Sequence, residues 1–519
     1  MNLFAQQVRK FFYPNSAFDS ILTVIIEGEN DRRYIMRQAL GFYGALAVTG
    51  LYTLHDANYS DTEDLNYFIP ALKHCLATHP ILGATIHGED TEHPSFHRPS
   101  SLNLQNHLHL VDTGSYPGYF SPRNDFHWIT QVTKKIHDQP FLSVDQHPPW
   151  KVCIAPISDE AATPGVHQMY IIFAYHHSHG DGKSGLAFHR SLLEGLRTAH
   201  DIYDQSNIYQ PSALPLPPSL EDACNMTISW SYLLLNLLGG YMPSIAYKLF
   251  GFQPAIAYLD AWTGKAMCYD PANFHTGSEA LLVENVLLNS VLRICRQNGV
   301  KFTGLFNQLV VTVLNSVLPR GSHVQNLLGQ IVVDLRPLTV YTENQMVNSV
   351  SALYVPSTRS SLTSGTTVVS LKQDTAFWDA ARATTSQLAC CASTLANQPI
   401  GLLRYLSQFR PWFLEKLGKS RDSSYEISNA VLFDVTSLDS FSTITNLRLK
   451  NWDIKRVMFS QPANVTGSAL NFQIVTRKDG DMVVTLNWQL GILGVPDEAA
   501  FVQDILSKIH ALFTEICCH

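Results

Sequence analysis

An apolar run that ends in a polar cluster is the feature of this sequence that most restricts its fold. Residues 168–175 read QMYIIFAY, a continuous apolar stretch of strand length, and the cluster HHSHGDG follows at 176–182. Gly180 and Gly182 let the backbone turn sharply, because glycine adopts conformations closed to other residues. The next segment, SGLAFHRSLLEGLRTAH, has leucines at helical spacing. The sequence therefore predicts a buried strand, a tight polar loop and a helix.

Similar units recur in both halves of the chain. WKVCIAPI, LLGQIVVDLRPL and MVVTLNWQLG have the length and apolar content of strands, and the last alternates with Met482, Val484, Leu486 and Trp488 on one face. DLNYFIPALKHCLATHP, TGLFNQLVVTVLNSVL and DEAAFVQDILSKIHALFTEI have the spacing of amphipathic helices. Mixed strands and helices in each half predict an α/β (α+β) fold with two sandwich-like domains.

Chain length also indicates more than one domain. The chain has 519 residues, too many for a single hydrophobic core. A segment rich in proline and serine, without a helical or strand period, occupies 206–222 and is the best candidate for a linker. We therefore expect an N-terminal domain over 1–205, which carries HHSHGDG, and a C-terminal domain over 223–519.

Composition excludes several kinds of partner. The net charge is −7, and no Lys/Arg block forms the basic face that nucleic-acid binding requires. Nine cysteines without CxxC spacing indicate a reducing, cytoplasmic setting rather than a disulfide framework. The uncharged segment 223–247 is long enough to span a bilayer. Because polar residues, Gly239–Gly240 and Pro243 interrupt it, we expect a buried or interfacial helix pair and do not favour membrane association.

The HHSHGDG cluster allows three interpretations. Three histidines suggest metal ligands, but His176 and His177 are adjacent and point to opposite faces of an extended chain, and no zinc-type spacing accompanies them. A neutral imidazole is also a good base at neutral pH, and Asp181 would act on the ring or fix the loop by pairing with a cation. A polar loop without chemistry is the third interpretation. The residues argue against a metal and leave the other two open.

The cluster matches the HHxxxDG motif of the chloramphenicol acetyltransferase-like and condensation-domain superfamily, and more widely the HxxxD motif of CoA acyltransferases. The segments RRYIMRQALGFYGALAVTGLYT, ALKHCLATHPIL, AWTGKAM, LLGQIVVDLRPL, MVNSVSALYV and WDIKRVMFSQ occur in the order seen in fungal alcohol acetyltransferases. The chain thus resembles that family over about residues 30–515. The resemblance implies two chloramphenicol acetyltransferase-like domains with an active-site tunnel between them.

The resemblance also implies roles for single residues. His177, the second histidine of the motif, would be the general base that deprotonates an acceptor hydroxyl for attack on the thioester of acyl-CoA. Asp181, the other motif residue counted with the catalytic set, points away from substrate in this family and pairs with an arginine. Arg336 in VDLRP occupies the matching position. His176 and Gly182 would shape the loop.

One departure from the wider family concerns the C-terminal half. The DFGWG motif of plant acyltransferases is absent, and NWDIKRVMFSQ stands near its position, as in the fungal group. This leaves the oxyanion donor open, and we name Ser460 as a candidate, with a strand or turn role as the alternative. Tyr43 is a candidate for the acceptor side of the tunnel or for the core. Asp334, on the same strand face as Arg336, would compete with Asp181 for it.

These features together predict an acyl-CoA-dependent O-acyltransferase, most simply an O-acetyltransferase, that acts on a small hydrophobic alcohol such as a fungal secondary metabolite. Acetyl-CoA would be the co-substrate, without a bound cofactor or metal. A cytoplasmic monomer, peripheral to an internal membrane at most, is expected. The alternative is a condensation-like or cyclising enzyme that acts on a polyketide or a carrier-bound substrate without CoA.

Overall fold

The structure is a computed structural model that describes residues 25–26, 28–56, 64–112, 125–157, 165–198, 204, 206–212, 214–239, 260–318, 326–358, 371, 374–439 and 451–518. The described strands are β1 (Ile25–Ile26), β2 (Leu46–His55), β3 (Thr85–His87), β4 (Ser95–His97), β5 (Leu102–Asn103), β6 (Leu108–Leu110), β7 (Trp150–Ile157), β8 (Val166–Tyr175), β9 (Ile208–Tyr209), β10 (Thr276–Val283), β11 (Asn326–Asp334), β12 (Val350–Thr358), β13 (Ser423–Phe433), β14 (Trp452–Ser460), β15 (Ser468–Arg477) and β16 (Met482–Gln489). The described helices are α1 (Glu29–Ala39), α2 (Ile69–Thr78), α3 (Asp125–His137), α4 (Gly182–Thr198), α5 (Leu220–Ala223), α6 (Trp230–Gly239), α7 (Asn285–Gln297), α8 (Phe302–Val317), α9 (Thr375–Cys391), α10 (Phe409–Leu414), α11 (Thr436–Asp439) and α12 (Glu498–Cys517).

The first large sheet has five strands in the order β14-β2-β8-β7-β6, with only β6 and β7 paired in parallel. Its central strand β8 is buried on both faces, as the uninterrupted apolar run predicts. Ile171 and Phe173 pack in one cluster with residues of α2 and α4, whereas Tyr170 and Ile172 pack with residues of α3 on the opposite face. Helices therefore cover this sheet on both sides, and the last residue of β8 is buried.

The second large sheet has six strands in the order β10-β16-β15-β13-β11-β12, with parallel pairs β11–β13 and β13–β15. Helices α7, α8, α9 and α12 pack on one face, where they share a core with Met482, Val484, Leu486 and Trp488 of β16. The predicted apolar face of β16 is thus confirmed. Its other face, which includes Thr485, is buried as well, and the Thr485 hydroxyl donates to the backbone carbonyl of Phe459 in β14.

Strand β14 joins the two halves of the chain. It comes from the C-terminal half of the sequence but pairs with β2 in the first sheet, in antiparallel register from Trp452 against Leu54 to Ser460 against Ala47. The division into 1–205 and 223–519 stays a prediction, and this strand crosses it. The lobe built on the first sheet is called here the N-lobe and the lobe built on the second sheet the C-lobe.

The uncharged segment 223–247 is described only in part. Helix α6 occupies Trp230–Gly239, and the predicted break at Pro243 lies outside the described residues. Within the described ranges, every helix is too short or too polar to meet the requirements for crossing a bilayer.

Candidate active site

The polar cluster forms a single turn between β8 and α4. His176 ends the extended backbone, a short 3₁₀ turn covers His177–His179, and α4 begins at Gly182. The His176 Nδ1 atom accepts hydrogen bonds from the backbone N–H of Ser178 at 3.0 Å and from its hydroxyl at 2.8 Å. His176 therefore caps the turn, and the loop-shaping role that the resemblance implies for it stays a prediction.

The three histidines of the cluster do not converge on a common point. His179 Nε2 lies 2.9 Å from the carbonyl oxygen of Ala84, to which it donates, while His176 is occupied by Ser178. Burial lowers the pKa of His179 to about 4, so its ring is neutral. Among the described residues, no group of three or more histidine, cysteine or acidic side chains is placed to hold a metal ion.

His177 is held between an aromatic ring and an amide. Its imidazole stacks on Tyr34 of α1, with ring centroids 3.7 Å apart and planes inclined by 16°. Asn348 Nδ2 donates to the His177 carbonyl oxygen at 2.7 Å and lies 3.1 Å from Nδ1. The residue's own backbone carbonyl also interacts with the ring. The stacked tyrosine and the amide together fix the orientation of the imidazole.

The environment of His177 keeps its imidazole neutral. Burial lowers the pKa well below its ordinary value, and the positive charge of Arg37 on α1 lowers it further. The hydrogen bond to the residue's own carbonyl opposes these effects only in part. A neutral ring with a free electron pair is the form that a general base requires.

Asp181 is occupied by Arg336 rather than by an imidazole. Arg336 Nη1 and Nη2 each donate to one carboxylate oxygen of Asp181 at 2.8 Å. The backbone N–H groups of Ser184 and Ser349 donate to the same carboxylate at 3.1 Å. Both partners are buried, and a buried charge needs this degree of compensation. The pair thus ties the start of α4 to the chain segments around β11 and β12.

Asp334 shares Arg336 instead of competing for it. Its Oδ1 accepts from Arg336 Nη1 at 3.1 Å, and its Oδ2 lies 2.9 Å from Lys183 Nζ. Burial lowers the pKa of Arg336, but the charges and hydrogen bonds of Asp181 and Asp334 outweigh this and raise it. The arginine is therefore a permanent cation between two carboxylates.

Glycine is required by close packing at the start of α4. A Cβ atom at Gly182 would lie 2.6 Å from the Phe459 ring, and one at Gly180 would lie 2.4 Å from Ser184 Cβ. Real Cβ atoms do not approach other heavy atoms so closely. The two glycines thus let the turn pack against β14 on one side and against its own helix on the other.

His177 opens on a cavity of about 490 Å³ between the lobes, called here the interlobe cavity. One part of its wall is apolar and includes Leu233, Val350, Ala352, Leu403, Trp412 and Phe413. Another part is polar or charged and includes Arg33, Arg37, Gln330, Lys416, Asp422, Glu426 and Gln461. Residues of α1, the HHSHGDG turn and β14 face residues of β11, β12 and β13 across it. The volume suits a small ligand with an apolar body and a polar group.

Two of the sequence candidates lie beside or behind this cavity. Tyr43 packs next to His177 with ring centroids 5.7 Å apart, and its hydroxyl donates to Gln461 at 2.9 Å. Ser460 is buried, and its hydroxyl is bound to His137 Nε2 at 2.7 Å and to Asn487 Nδ2 at 3.1 Å. Neither is among the described residues that line the cavity. The structure therefore does not bring the Ser460 hydroxyl to His177.

Sequence reasoning missed the residues of α1 that surround His177. Arg33, Tyr34 and Arg37 belong to the segment RRYIMRQ, whose charges are typical of a solvated helix face. Their spacing of one and four residues places them on one side of the helix, and this side faces the interlobe cavity. Charged and aromatic residues at that spacing, just before a buried strand, were the sequence signal that could have predicted this part of the cavity wall.

Two-lobed architecture and a buried HHxxxDG turn define the chloramphenicol acetyltransferase-like fold. Among solved structures, the trichothecene 15-O-acetyltransferase TRI3 of Fusarium sporotrichioides matches with a TM-score of 0.63 at 11% identity, covering 96% of this chain and 99% of that one. The condensation domain of the Monacolin K polyketide synthase matches with a TM-score of 0.54 at 12% identity, covering 96% and 98%. The predicted fold class is confirmed.

Comparison with related sequences indicates which proteins with this fold the chain resembles. The alcohol acetyltransferase family model matches residues 124–278, a range that contains the HHSHGDG turn. A probable alcohol acetyltransferase of Fusarium pseudograminearum is 24% identical over 479 residues, covering 90% of each chain. Another, of Aspergillus fumigatus, is 24% identical over 469 residues, covering 88% of this chain and 92% of the relative. The resemblance to fungal alcohol acetyltransferases is confirmed, and these similarities support an acyltransferase enzyme.

Proposed function

We propose that the protein transfers an acetyl group from acetyl-CoA to a hydroxyl of a small acceptor, with His177 as the general base. His177 Nε2 accepts the hydroxyl proton while the acceptor oxygen attacks the thioester carbonyl. When the tetrahedral intermediate collapses, the C–S bond breaks and the departing CoA sulfur takes the proton from His177. The products are the acetyl ester and CoA with a free thiol, and the base returns to its neutral form.

The observation that carries this proposal is the state of His177 at the cavity wall. Its ring is neutral, is fixed by Tyr34 and Asn348, and opens on a space large enough for the reacting ends of two substrates. A positioned base contributes roughly 10²–10⁴ in rate. Alignment of acceptor and thioester in the interlobe cavity supplies a further part of the acceleration. Asp181, bound to Arg336, acts by holding the turn.

Acetyl-CoA turnover by purified protein tests the proposal. The full chain is incubated with acetyl-CoA and a panel of alcohols, and the release of free thiol is followed. We expect release with at least one alcohol, and a loss of roughly 10²–10⁴ in His177→Ala. His109→Ala, which removes an exposed histidine from β6, is the matched control and should keep full activity. Circular dichroism confirms that each variant is folded.

Two results would count against the proposal. Thiol release at the wild-type rate by folded His177→Ala would reject this residue as the base. No release with any alcohol, together with turnover of carrier-bound acyl substrates, would favour the condensation-like reaction instead.

A further inference from the structure

Two arginines lie beside the proposed base, and the acetyl transfer proposed above does not require either of them. Arg33 and Arg37 both line the interlobe cavity. The guanidinium carbon of Arg33 lies 4.4 Å from the centroid of the Tyr34 ring, and that of Arg37 lies 5.0 Å from it. The Tyr34 ring in turn stacks on His177 at 3.7 Å. Both cations are therefore two short contacts away from the imidazole.

Neither cation has a carboxylate partner to itself among the described residues. In the described ranges, Arg33 and Arg37 make no ion pair, and the Nε atom of each is buried without a hydrogen-bond partner. Glu426 is the cavity acid that interacts electrostatically with both. Its two oxygens, however, accept from Gln461 at 3.1 Å and from Gln330 at 2.9 Å. Two cations beside one such acid leave a surplus of positive charge next to the base.

Other contacts of the two arginines do not remove this surplus. Arg37 also lies over the ring of Tyr43 at 3.7 Å, and stacking on aromatic faces offsets only part of the cost of burying a guanidinium. Burial is the main effect that lowers the pKa of Arg37, and the like charge of Arg33 adds to it. Lys416, the third cation of the cavity, is already paired with Asp422 at 2.7 Å. Among the described residues, the positive charge without a paired carboxylate thus lies on the α1 side of the cavity.

We propose that Arg33 and Arg37 bind a carboxylate of the substrate that reacts at His177, so that the preferred acceptor is a hydroxy acid with an apolar body. This inference rests on the proposed function for the position of the hydroxyl. Guanidinium groups bind carboxylates through paired hydrogen bonds, and a buried anion here would balance the surplus charge. The apolar wall formed by residues such as Leu403 and Phe413 would cover the remainder of the acceptor.

The carboxylate has two chemical sources, the acceptor and the acyl group of the donor. An acceptor hydroxy acid fits an acetyl donor, whereas a dicarboxylic acyl-CoA such as malonyl-CoA would carry the charge itself. The phosphates of CoA are not a third source, because the whole pantetheine arm separates them from a thioester that reacts at His177. The experiment therefore has one arm for each source and one arm without turnover.

Binding without reaction tests the arginine site by itself. Phenylacetate and phenylacetamide have nearly the same shape and differ in charge, and neither has a hydroxyl. Calorimetric titration of the full chain should show phenylacetate binding at least about tenfold more tightly, an advantage lost in Arg33→Gln and Arg37→Gln. Arg32→Gln removes the same charge from the same helix, but Arg32 binds Glu29 and lies outside the cavity lining. It should keep the preference.

Turnover distinguishes the two sources. With acetyl-CoA, 3-phenyllactate should be acetylated at least about tenfold faster than its methyl ester, and Arg33→Gln should remove this preference. A preference for malonyl-CoA over acetyl-CoA with the methyl ester would place the carboxylate on the donor and overturn the hydroxy-acid assignment. Equal binding of the two phenylacetic ligands to the folded protein would overturn the arginine site. Selective binding without any CoA turnover would keep the site and reject the proposed function.

Discussion

Arg336 binds both carboxylate oxygens of Asp181 at 2.8 Å, across a separation of 155 residues in the chain. The side chains are 3% and 4% exposed, so water cannot replace either partner. The pair fixes the HHSHGDG turn of the N-lobe against β11 and β12 of the C-lobe. The motif aspartate thus sets the position of the turn that carries the proposed base.

Loss of one partner should destabilise the protein more than loss of both. Asp181→Ala removes the bidentate partner of the buried Arg336 and leaves Asp334 as its remaining carboxylate contact, and we expect a cost of roughly 3–5 kcal/mol in the free energy of unfolding together with lost activity. The double variant Asp181→Ala with Arg336→Met should recover part of this cost. Urea unfolding measures all three proteins. Lys508→Ala, at an exposed ion pair with Asp504 on α12, is the control and should change stability by less than about 0.5 kcal/mol. Normal stability and activity of Asp181→Ala would contradict the structural role.

Asn348 should act on the base without binding substrate. Its side-chain amide donates to the backbone carbonyl of His177, and the backbone carbonyl of Asn348 accepts from Asn30 Nδ2 at 3.2 Å. In Asn348→Ala the imidazole loses a fixed orientation, so we expect kcat to fall about 10- to 100-fold while KM changes little. Steady-state kinetics at saturating acetyl-CoA provide the measurement. A rise in KM with unchanged kcat would show instead that Asn348 contributes to binding.

Activity should persist into the acidic range. Burial and Arg37 hold the pKa of His177 well below 6.5, so the base stays neutral until the pH falls through that lowered value. The acid limb of kcat/KM should therefore lie below pH 6.5. Arg37→Gln removes a nearby positive charge, which raises the pKa of His177 and moves the limb to higher pH. Arg32→Gln should leave the limb in place, and a limb unmoved in Arg37→Gln would exclude this electrostatic effect.

Folding stability should decrease steeply in mild acid. Five buried histidines have a pKa lowered by burial to about 4, namely His79, His107, His137, His179 and His189. Between pH 6.5 and 4 the unfolded chain binds protons at these sites and the folded chain does not, so stability falls as the pH falls. Each site contributes at most about 1.4 kcal/mol per pH unit. Urea unfolding across this range checks the slope, and His107→Gln should reduce it by one site. A flat profile would contradict the burial of these rings as neutral groups.

Gly182 should tolerate alanine only if β14 yields space. The added Cβ would meet the Phe459 ring at 2.6 Å, and we expect a cost of about 1–3 kcal/mol with reduced activity, because the turn must shift. Phe459→Leu in the same chain should restore part of both. Thermal unfolding and thiol release are the measurements. If the second substitution adds its own cost without recovery, the two positions are not coupled through this contact.

Local pattern was sufficient to predict the surroundings of the motif from the sequence. The run QMYIIFAY has one stable outcome, a strand covered on both faces, and the structure places it in β8 between α2 and α4 on one side and α3 on the other. The glycines mark the turn, and the leucines that follow mark α4. The contact of Asp181 with Arg336 came from the family resemblance, because no periodicity connects residues so far apart.

The burial of single side chains and the pairing of distant strands could not be predicted from local sequence pattern. Strand alternation shows that Ser460 lies on one face of β14, but not that His137 and Asn487 reach its hydroxyl there. The pairing of β14 with β2 joins segments about 400 residues apart, and only the assembled sheet reveals it. The arginines of α1 were missed because a charged helix face usually faces solvent, whereas here it faces a cavity inside the protein.

The insertion of β14 into the N-lobe sheet makes the two halves of the polypeptide mutually dependent. A fragment that ends at the predicted linker would expose the hydrogen-bonding edge of β2, and the complementary fragment would carry β14 without a sheet to join. The two fragments would have to associate to rebuild this sheet and to place Phe459 beside Gly182 again. Strand β14 therefore connects the lobes through backbone hydrogen bonds, in addition to the covalent connection along the chain.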